Sequence, residues 1–157
     1  MTVSITERLS EEIKLAMRAR NSDRLSALRM LQAAIKQKEV DDRKELSDSE
    51  VIAIVERQVK QRRESIAAFE QAGRSESAAK EQAELNILQE FMPEAASQDE
   101  VMAVIEAALA EVRASGITGG AAMGKVMGMV KEALAGRADM STVSSLVRQK
   151  INENSGP

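Results

Sequence analysis

A glycine-rich segment ending in a lysine is the stretch of this chain that comes nearest to a known ligand-binding motif. Gly119 is followed after four residues by Gly124 and Lys125, the spacing with which phosphate-binding loops begin. Such a loop also needs a serine or threonine after the lysine to bind magnesium, and a strand before the first glycine. Val126 stands where the hydroxyl is required, and the residues before the first glycine are too few for a strand. The motif is incomplete, so the residues favour another role.

The glycines of this segment are spaced for one side of a helix. Gly120, Gly124 and Gly128 recur every four residues and therefore share a helical face. Each glycine in a helix interior costs about 1 kcal/mol relative to alanine, so a packing or binding contact is expected to offset the loss. A face without side chains lets another helix or a ligand backbone approach closely. Together with Gly136, these residues are the candidate close-approach glycines.

Basic residues are enriched between positions 116 and 151, although the whole chain has a net charge of −3. In this window five basic residues oppose only Glu132 and Asp139, which gives a net charge of +3. These candidate contacts to RNA phosphates are Lys125, Lys131, Arg137, Arg148 and Lys150. Their side chains can donate to phosphate oxygens, and the N-terminus of the last predicted helix can add backbone N–H groups. The alternative is an ordinary solvated helix face.

The segment from Gly136 to Asp139 separates the last two predicted helices. Gly136 is placed to end the first of them, and Asp139 or Ser141 is placed to cap the second. Arg137 can pair with Asp139 or with a neighbouring carboxylate. That structural role is compatible with phosphate recognition by the same guanidinium.

In the first half of the chain, Arg62 falls on the predicted apolar face of a helix, in line with Val59 and Ile66. Its methylenes can be buried while the guanidinium stays in water. Alternatively, residues 60–63 form a second contact to phosphate or carboxylate. The structural interpretation is favoured.

Composition excludes several kinds of active site. The sequence has no cysteine and no histidine, which removes thiol nucleophiles, thiolate or imidazole metal ligands and the serine–histidine mechanism. Phe69 and Phe91 are the only aromatic residues, so nucleic-acid bases have no aromatic platform on which to stack. No apolar run approaches the roughly 20 residues that span a bilayer, and no N-terminal stretch resembles a secretion signal. We therefore expect a cytoplasmic protein with no cofactor, no metal and no membrane partner.

Helix signals dominate, and strand signals are missing. Three Ser-x-x-Glu capping boxes, at Ser4, Ser47 and Ser97, mark helix starts, and Asn21 can cap a further helix. Apolar residues at helical spacing predict seven helices in all. The first is expected to bury Leu9, Ile13 and Met17. The fourth is expected to be stopped by Pro93 and to carry Ala83, Leu85, Leu88 and Phe91.

The stretch around Pro93 is the predicted boundary between two helical lobes. Long charged helices precede it, and shorter helices rich in alanine and glycine follow. We expect an all-α fold with an N-terminal helical lobe at residues 1–93 and a C-terminal three-helix lobe at residues 94–157. The last six residues, 152–157, are expected to fray.

The C-terminal motifs resemble the signature of the GatB/YqeY family. The residues that carry the resemblance are Gly124-Lys125-Val126-Met127-Gly128, Gly136-Arg137-Ala138-Asp139, and the line Val143, Leu146, Val147, Lys150 and Ile151. Similarity extends over nearly the whole chain, including residues 24–36, 60–63, 72–74 and 81–93. The chain thus resembles the free-standing YqeY-type members. It departs from them at Ala133-Leu134-Ala135, where a basic residue often stands before the Gly-Arg pair, and this thins the positive patch.

The resemblance implies an all-helical fold and a link to tRNA. In the related tail of the B subunit of the glutamine-dependent aminoacyl-tRNA amidotransferase, the region is implied to contact tRNA and to carry no catalytic residue. We therefore expect a non-catalytic, tRNA-associated binding protein. A label of carbon–nitrogen ligase with glutamine as amido-N-donor is interpreted as inherited from the larger enzyme.

Two other functions stay open at this point. One is a protein-interaction adaptor for an aminoacyl-tRNA synthetase or an amidotransferase subunit, with Met123, Met127 and Met129 as an adaptable surface. The other is an independent enzyme, which ranks third because no spacing groups carboxylates, lysine or serine into a catalytic set.

Overall fold

The chain is all-helical, as the sequence predicts. The computed structural model describes residues 3–154, and in that range it has seven α-helices and no strand. The helices are α1 (Ile5–Arg18), α2 (Ser22–Asp42), α3 (Asp48–Gln71), α4 (Ser75–Gln89), α5 (Gln98–Ala114), α6 (Gly119–Ala133) and α7 (Met140–Asn154). They form two compact units, of which unit 1 ends at Pro93 and unit 2 begins at Glu94.

Side-chain caps fix where four of the helices begin. The capping residues, each accepting from the backbone N–H three residues later, are Ser4, Asn21, Ser47 and Ser97. Only Ser47 has a complete capping box, in which the Glu50 carboxylate accepts from the Ser47 backbone N–H at 3.2 Å. Glu100, the glutamate expected to complete the box of α5, instead accepts from Arg137 at 2.7 Å. The predicted helix starts are confirmed. Of the three predicted capping boxes, one has the reciprocal hydrogen bond from the backbone N–H of the capping serine to the glutamate.

Unit 1 packs α1 to α4 around an aliphatic core. Its largest fully buried side chains are Leu9, Leu28, Leu31, Val51, Val55 and Phe91. The expectation that Met17 is buried is wrong, because its side chain is 51% exposed and Ala16 takes the inward position. A spacing of four residues rotates by about 40° beyond a full turn each time, so two such steps leave the core.

The end of α4 also differs from the prediction. The helix stops at Gln89, and Phe91 lies in the turn that follows, where its ring is buried. Ala83 is exposed, and Ala78 is the buried alanine of this helix. Pro93 therefore follows a turn rather than a helix end.

Arg62 has the structural role that the sequence favours. Its Nη1 donates to the Glu81 carboxylate at 2.7 Å and to the Glu84 carboxylate at 3.2 Å, so the guanidinium joins α3 to α4. All three side chains are largely buried. Because the Arg62 guanidinium is paired with two carboxylates, it is poorly placed to bind a phosphate.

Unit 2 packs α5, α6 and α7 around branched aliphatic side chains. Those that are almost completely buried are Ile105, Val126, Val130, Leu134, Val143 and Val147. Met123, Met127 and Met129 are half-buried and pack against this core. The three methionines therefore fill gaps in unit 2 and do not form the exposed adaptable surface considered for an adaptor.

The C-terminal helix is longer than expected. α7 continues to Asn154, so the fraying predicted for residues 152–157 is wrong for 152–154. The remaining part of that prediction, residues 155–157, lies outside the described residues.

Candidate nucleic-acid interface

The glycines of α6 face open space. Val126 and Val130 are fully buried on the core side of the helix, whereas Gly120, Gly124 and Gly128 are exposed. A Cβ atom built on any of these three glycines would meet no atom of the described residues within 4 Å. The close approach expected from the sequence is therefore not made within this part of the chain. The loss of helix stability at these positions has no packing contact here to offset it.

Two lysines lie beside these glycines. Lys131 follows Gly128 by three residues, and Lys125 precedes it by three, so both neighbour it on the helix surface. Both lysines are exposed, and neither ammonium has an ion-pair or hydrogen-bond partner in the range 3–154. Glu132 is the acidic residue of α6 and lies on the same flank as Lys125. We call Gly120, Gly124, Gly128 and the two lysines the glycine face.

The Arg137 guanidinium is engaged within unit 2. Its Nε donates to the Glu94 carbonyl at 3.0 Å, and its Nη2 donates to the Glu100 carboxylate at 2.7 Å. The Arg137 carbonyl accepts from the Ala96 N–H at 2.7 Å. The hydrogen bond from Arg137 lowers the pKa of Glu100. These contacts hold the turn between α6 and α7 against the start of α5, so this arginine positions the turn.

Gly136 and Asp139 shape that turn. Gly136 has a φ of +70°, in the left-handed region that favours glycine. The Asp139 carboxylate accepts from the Ser141 hydroxyl at 2.9 Å, the Thr142 hydroxyl at 2.9 Å and the Ser141 backbone N–H at 3.3 Å. These hydrogen bonds, that of the Ser141 hydroxyl foremost, lower the pKa of Asp139. A carboxylate therefore already sits at the N-terminus of α7, where the sequence suggested N–H groups for a phosphate.

Arg148 and Lys150 point to different sides of α7. Two residues along a helix turn the chain by about 200°. Arg148 is exposed and lines a shallow surface depression with Ser145 and Gln149. Lys150 is half-buried, and its Nζ lies 3.9 Å from a Glu153 carboxylate oxygen. Of the five candidate cations, Lys125, Lys131 and Arg148 are exposed and have no carboxylate partner among the described residues. Arg137 and Lys150 each have one.

Sequence reasoning missed the partners of Arg137. Glu94 and Glu100 lie 43 and 37 residues before it in the chain. The pattern around Ser97 assigned Glu100 to a capping box, and no local signal links it to a distant arginine. Only packing of α5 against the following helices brings the groups together.

The described residues lack the features of two other classes of site. No group of three or more acidic side chains is placed to hold a metal ion. No helix is both long and apolar enough to cross a membrane.

Comparison with known protein families matches residues 6–151 to the family described as Yqey-like protein. The chain belongs to the YqeY-like family. This match spans both units and confirms the resemblance seen in the sequence.

Two curated fungal proteins are similar to this YqeY-like chain. Both carry the name "Altered inheritance of mitochondria protein 41, mitochondrial". The one from Pyrenophora tritici-repentis is 30% identical over 151 residues, which cover 95% of this chain and 80% of the relative. The one from Eremothecium gossypii is 36% identical over 110 residues, which cover 68% of this chain and 60% of the relative. Neither name states a ligand or a reaction.

Proposed function

We propose that this YqeY-like protein is a non-catalytic, tRNA-associated binding protein and that the glycine face of α6 is its contact surface. The observation that carries the proposal is the open space over Gly120, Gly124 and Gly128 beside two exposed lysines without partners among the described residues. An RNA backbone can come close to such a helix while the ammonium groups reach its phosphates. Arg148 of α7 supplies a third exposed cation.

The family resemblance supports tRNA as the ligand. The tail of the amidotransferase B subunit that resembles unit 2 is implied to contact tRNA, and the motifs shared with it include Gly124-Lys125 on the glycine face. In our proposal, the Gly136-Arg137 pair contributes indirectly, because Arg137 holds the turn that leads into α7. The cytoplasmic location expected from the sequence stays a prediction, since the fungal relatives are named as mitochondrial proteins.

The chemistry of unit 2 favours binding over catalysis. A catalytic acid or base commonly has a pKa moved towards neutrality by burial or by a like charge. Hydrogen bonds from Arg137 and Ser141 instead lower the pKa values of Glu100 and Asp139, respectively. Both carboxyls are therefore ionised at neutral pH. In the part of the chain that the structure describes, no polar side chain is fully buried. We therefore propose that a carbon–nitrogen ligase label is inherited from the larger amidotransferase.

Titration of labelled tRNA at two salt concentrations tests the proposal. Lys125→Ala removes a cation of the glycine face, and Arg113→Ala removes an exposed cation from the last turn of α5 as a matched control. We expect Lys125→Ala to weaken binding and to lower the slope of log affinity against log salt by about 0.7 to 0.9, the share of one phosphate contact. The control should leave both quantities unchanged. No binding of the wild-type protein at low ionic strength, or equal effects of the two variants, would contradict the proposal.

A protein-interaction adaptor is the alternative, and the open glycine face also favours it. A helix of a synthetase or amidotransferase subunit could lie against Gly120, Gly124 and Gly128 as closely as an RNA backbone. The adaptor function would be favoured over tRNA binding if the wild-type protein captured such a subunit from nuclease-treated extract and the Gly124→Leu variant did not.

A further inference from the structure

Positive charge is concentrated in residues 14–36, from the second half of α1 into α2, whereas the whole hairpin at residues 5–42 carries only +1. Residues 14–36 carry six basic residues against the single acidic Asp23, a net charge of +5. Since the whole chain has a net charge of −3, all other residues together carry −8. Residues 14–36 are thus more basic than the 116–151 window that contains the family motif.

Five of the six basic side chains between residues 14 and 36 are exposed. They are Lys14, Arg18, Arg20, Arg29 and Lys36. Arg24 is the exception, because it bonds to Glu90 at 2.6 Å and to Glu12 at 2.9 Å, and Glu90 foremost raises its pKa. Arg24 therefore joins α2 to α1 and to the turn after α4, and four of the other five cations have no carboxylate partner among the described residues.

Four of these cations share one surface. On α1, Met17 and Arg18 follow Lys14 by three and four residues and therefore lie on the same side of the helix as Lys14. Arg29 of α2 reaches this side, with its Nη2 3.8 Å from the Met17 Sδ. Lys36 follows Arg29 by seven residues, which places it two turns, or about 10 Å, further along the same side of α2. We call Lys14, Arg18, Arg29 and Lys36 the hairpin face.

On α1, the exposed Glu7 and Glu11 lie on the same side as Lys14 and offset part of the charge of this face. Lys14 lies 3.4 Å from Glu11, but both side chains are more than half exposed, and an ion pair of this kind contributes little. Arg18 and Lys36 have no hydrogen-bond or ion-pair partner in the part of the chain that the structure describes. Arg29 has only the Met17 sulfur. Arg20, at the tip of the hairpin with a φ of +54°, adds a further exposed guanidinium.

We propose that the hairpin face binds the phosphates of an RNA backbone, as a contact surface separate from the glycine face of unit 2. Arginine guanidiniums present planar forks of N–H donors that match phosphate oxygens. On the side of α2 that carries Arg29 and Lys36, the exposed positions Ser22, Ser26 and Ala33 have small side chains that leave room for a backbone to approach. The proposal does not rest on the function proposed for α6.

The distribution of apolar side chains favours RNA over a protein or a membrane. A protein interface needs a cluster of apolar anchors in its centre, and a membrane-binding helix needs a continuous apolar face. Of the exposed large apolar residues of α1 and α2, Met17 lies on the hairpin face and Val40 at its far end. Leu15 lies three residues before Arg18 and borders the face, whereas Met30 lies about 100° from Arg29. The hairpin face therefore has single apolar residues beside its cations and no continuous apolar surface.

A pair of charge-matched triple variants tests the proposal in the full chain. Arg18→Ala/Arg29→Ala/Lys36→Ala removes three cations from the hairpin face. Arg57→Ala/Lys60→Ala/Arg63→Ala removes three exposed cations from α3, which have no hydrogen-bond or ion-pair partner between residues 3 and 154. All six side chains are at the surface, and circular dichroism with thermal unfolding verifies that both variants remain folded. Labelled tRNA, anionic phospholipid vesicles and polyglutamate are each titrated against the three proteins.

We expect the hairpin triple variant to bind tRNA about tenfold or more weakly at low salt, with a salt slope reduced by about 2 to 3, and the α3 variant to change the slope by less than about 1. Unchanged tRNA binding by the hairpin variant, or an equal loss in the α3 variant, would overturn the proposal. The proposal would also be overturned if vesicles or polyglutamate bound the wild-type protein as tightly as tRNA does and the hairpin variant lost that binding. Lys125→Ala separates the two surfaces, because loss of the glycine-face contact leaves the effect of the hairpin variant intact.

Discussion

The pairing of Arg137 with Glu100 shows how a single residue of the family motif is used. The sequence offered Asp139 or another carboxylate as its partner, and the structure selects Glu100 of α5 because Asp139 is held by Ser141 and Thr142 at the start of α7. An arginine of the family motif that the sequence makes a candidate for phosphate recognition thus joins three segments of unit 2. Its contribution to any RNA contact is the position that it gives to α7.

The ionised Glu100 carboxylate should make unit 2 sensitive to acid. Because folding lowers the pKa of Glu100, its stabilising contribution is present above its unfolded pKa of about 4.5 and is lost as pH falls through the folded value. In Glu100→Gln, we expect a lower melting temperature than the wild type at pH 7 and a smaller further decrease between pH 5 and pH 3. Glu106→Gln, at an exposed position of the same helix, is the control. Wild-type and Glu100→Gln melting temperatures that change in parallel over this range would contradict the role of the ion pair.

At the scale of elements, α6 combines a buried valine side with an exposed glycine side. The buried side follows from the spacing of Val126 and Val130, and local sequence patterns predict it well. The open side does not follow from the sequence, which predicted that some neighbour approaches the glycines. The structure shows no such neighbour among the described residues.

Alanine on the glycine side of α6 should stabilise the protein. A Cβ at Gly124 or Gly128 meets no described atom, so each replacement is expected to add about 0.5 to 1 kcal/mol to the free energy of unfolding. Gly116→Ala is the control, because this residue has a φ of +75° and alanine is strained there. Chemical denaturation should show the first two variants more stable than the wild type and the control less stable. Destabilisation by Gly124→Ala and Gly128→Ala would mean that the glycines have a structural role.

The starts of α1, α2, α3 and α5 were predictable because capping side chains act within three residues of the backbone groups that they satisfy. Errors arose where tertiary packing decides. Met17 extends a line of apolar residues spaced four apart, and that spacing rotates the side chain out of the core. Phe91 is buried in the core from a turn that follows the end of α4. The partners of Arg62 and Arg137 lie 19 to 43 residues away, so no local pattern identifies them.

For the whole molecule, charge distribution matters more than net charge. The acidic total of −3 argues against general binding to nucleic acid, yet residues 14–36 carry +5. The family motif spans the region of the C-terminal cations, two of which have carboxylate partners. The segment with the higher net positive charge, residues 14–36, lies in unit 1. RNA binding to a locally basic and globally acidic protein should be weak and steeply dependent on salt.

We propose that the glycine face of α6 binds a ligand that needs close approach to the helix. This claim is tested most directly by measuring the affinity of the folded double variant Gly124→Ala/Gly128→Ala for tRNA at low ionic strength, beside its free energy of unfolding. Two added methyl groups change no charge, so a loss of affinity reports contact with the helix surface itself. We expect a protein that is more stable than the wild type and binds tRNA at least about fivefold more weakly, a difference of about 1 kcal/mol. Wild-type affinity in the more stable variant would contradict the claim.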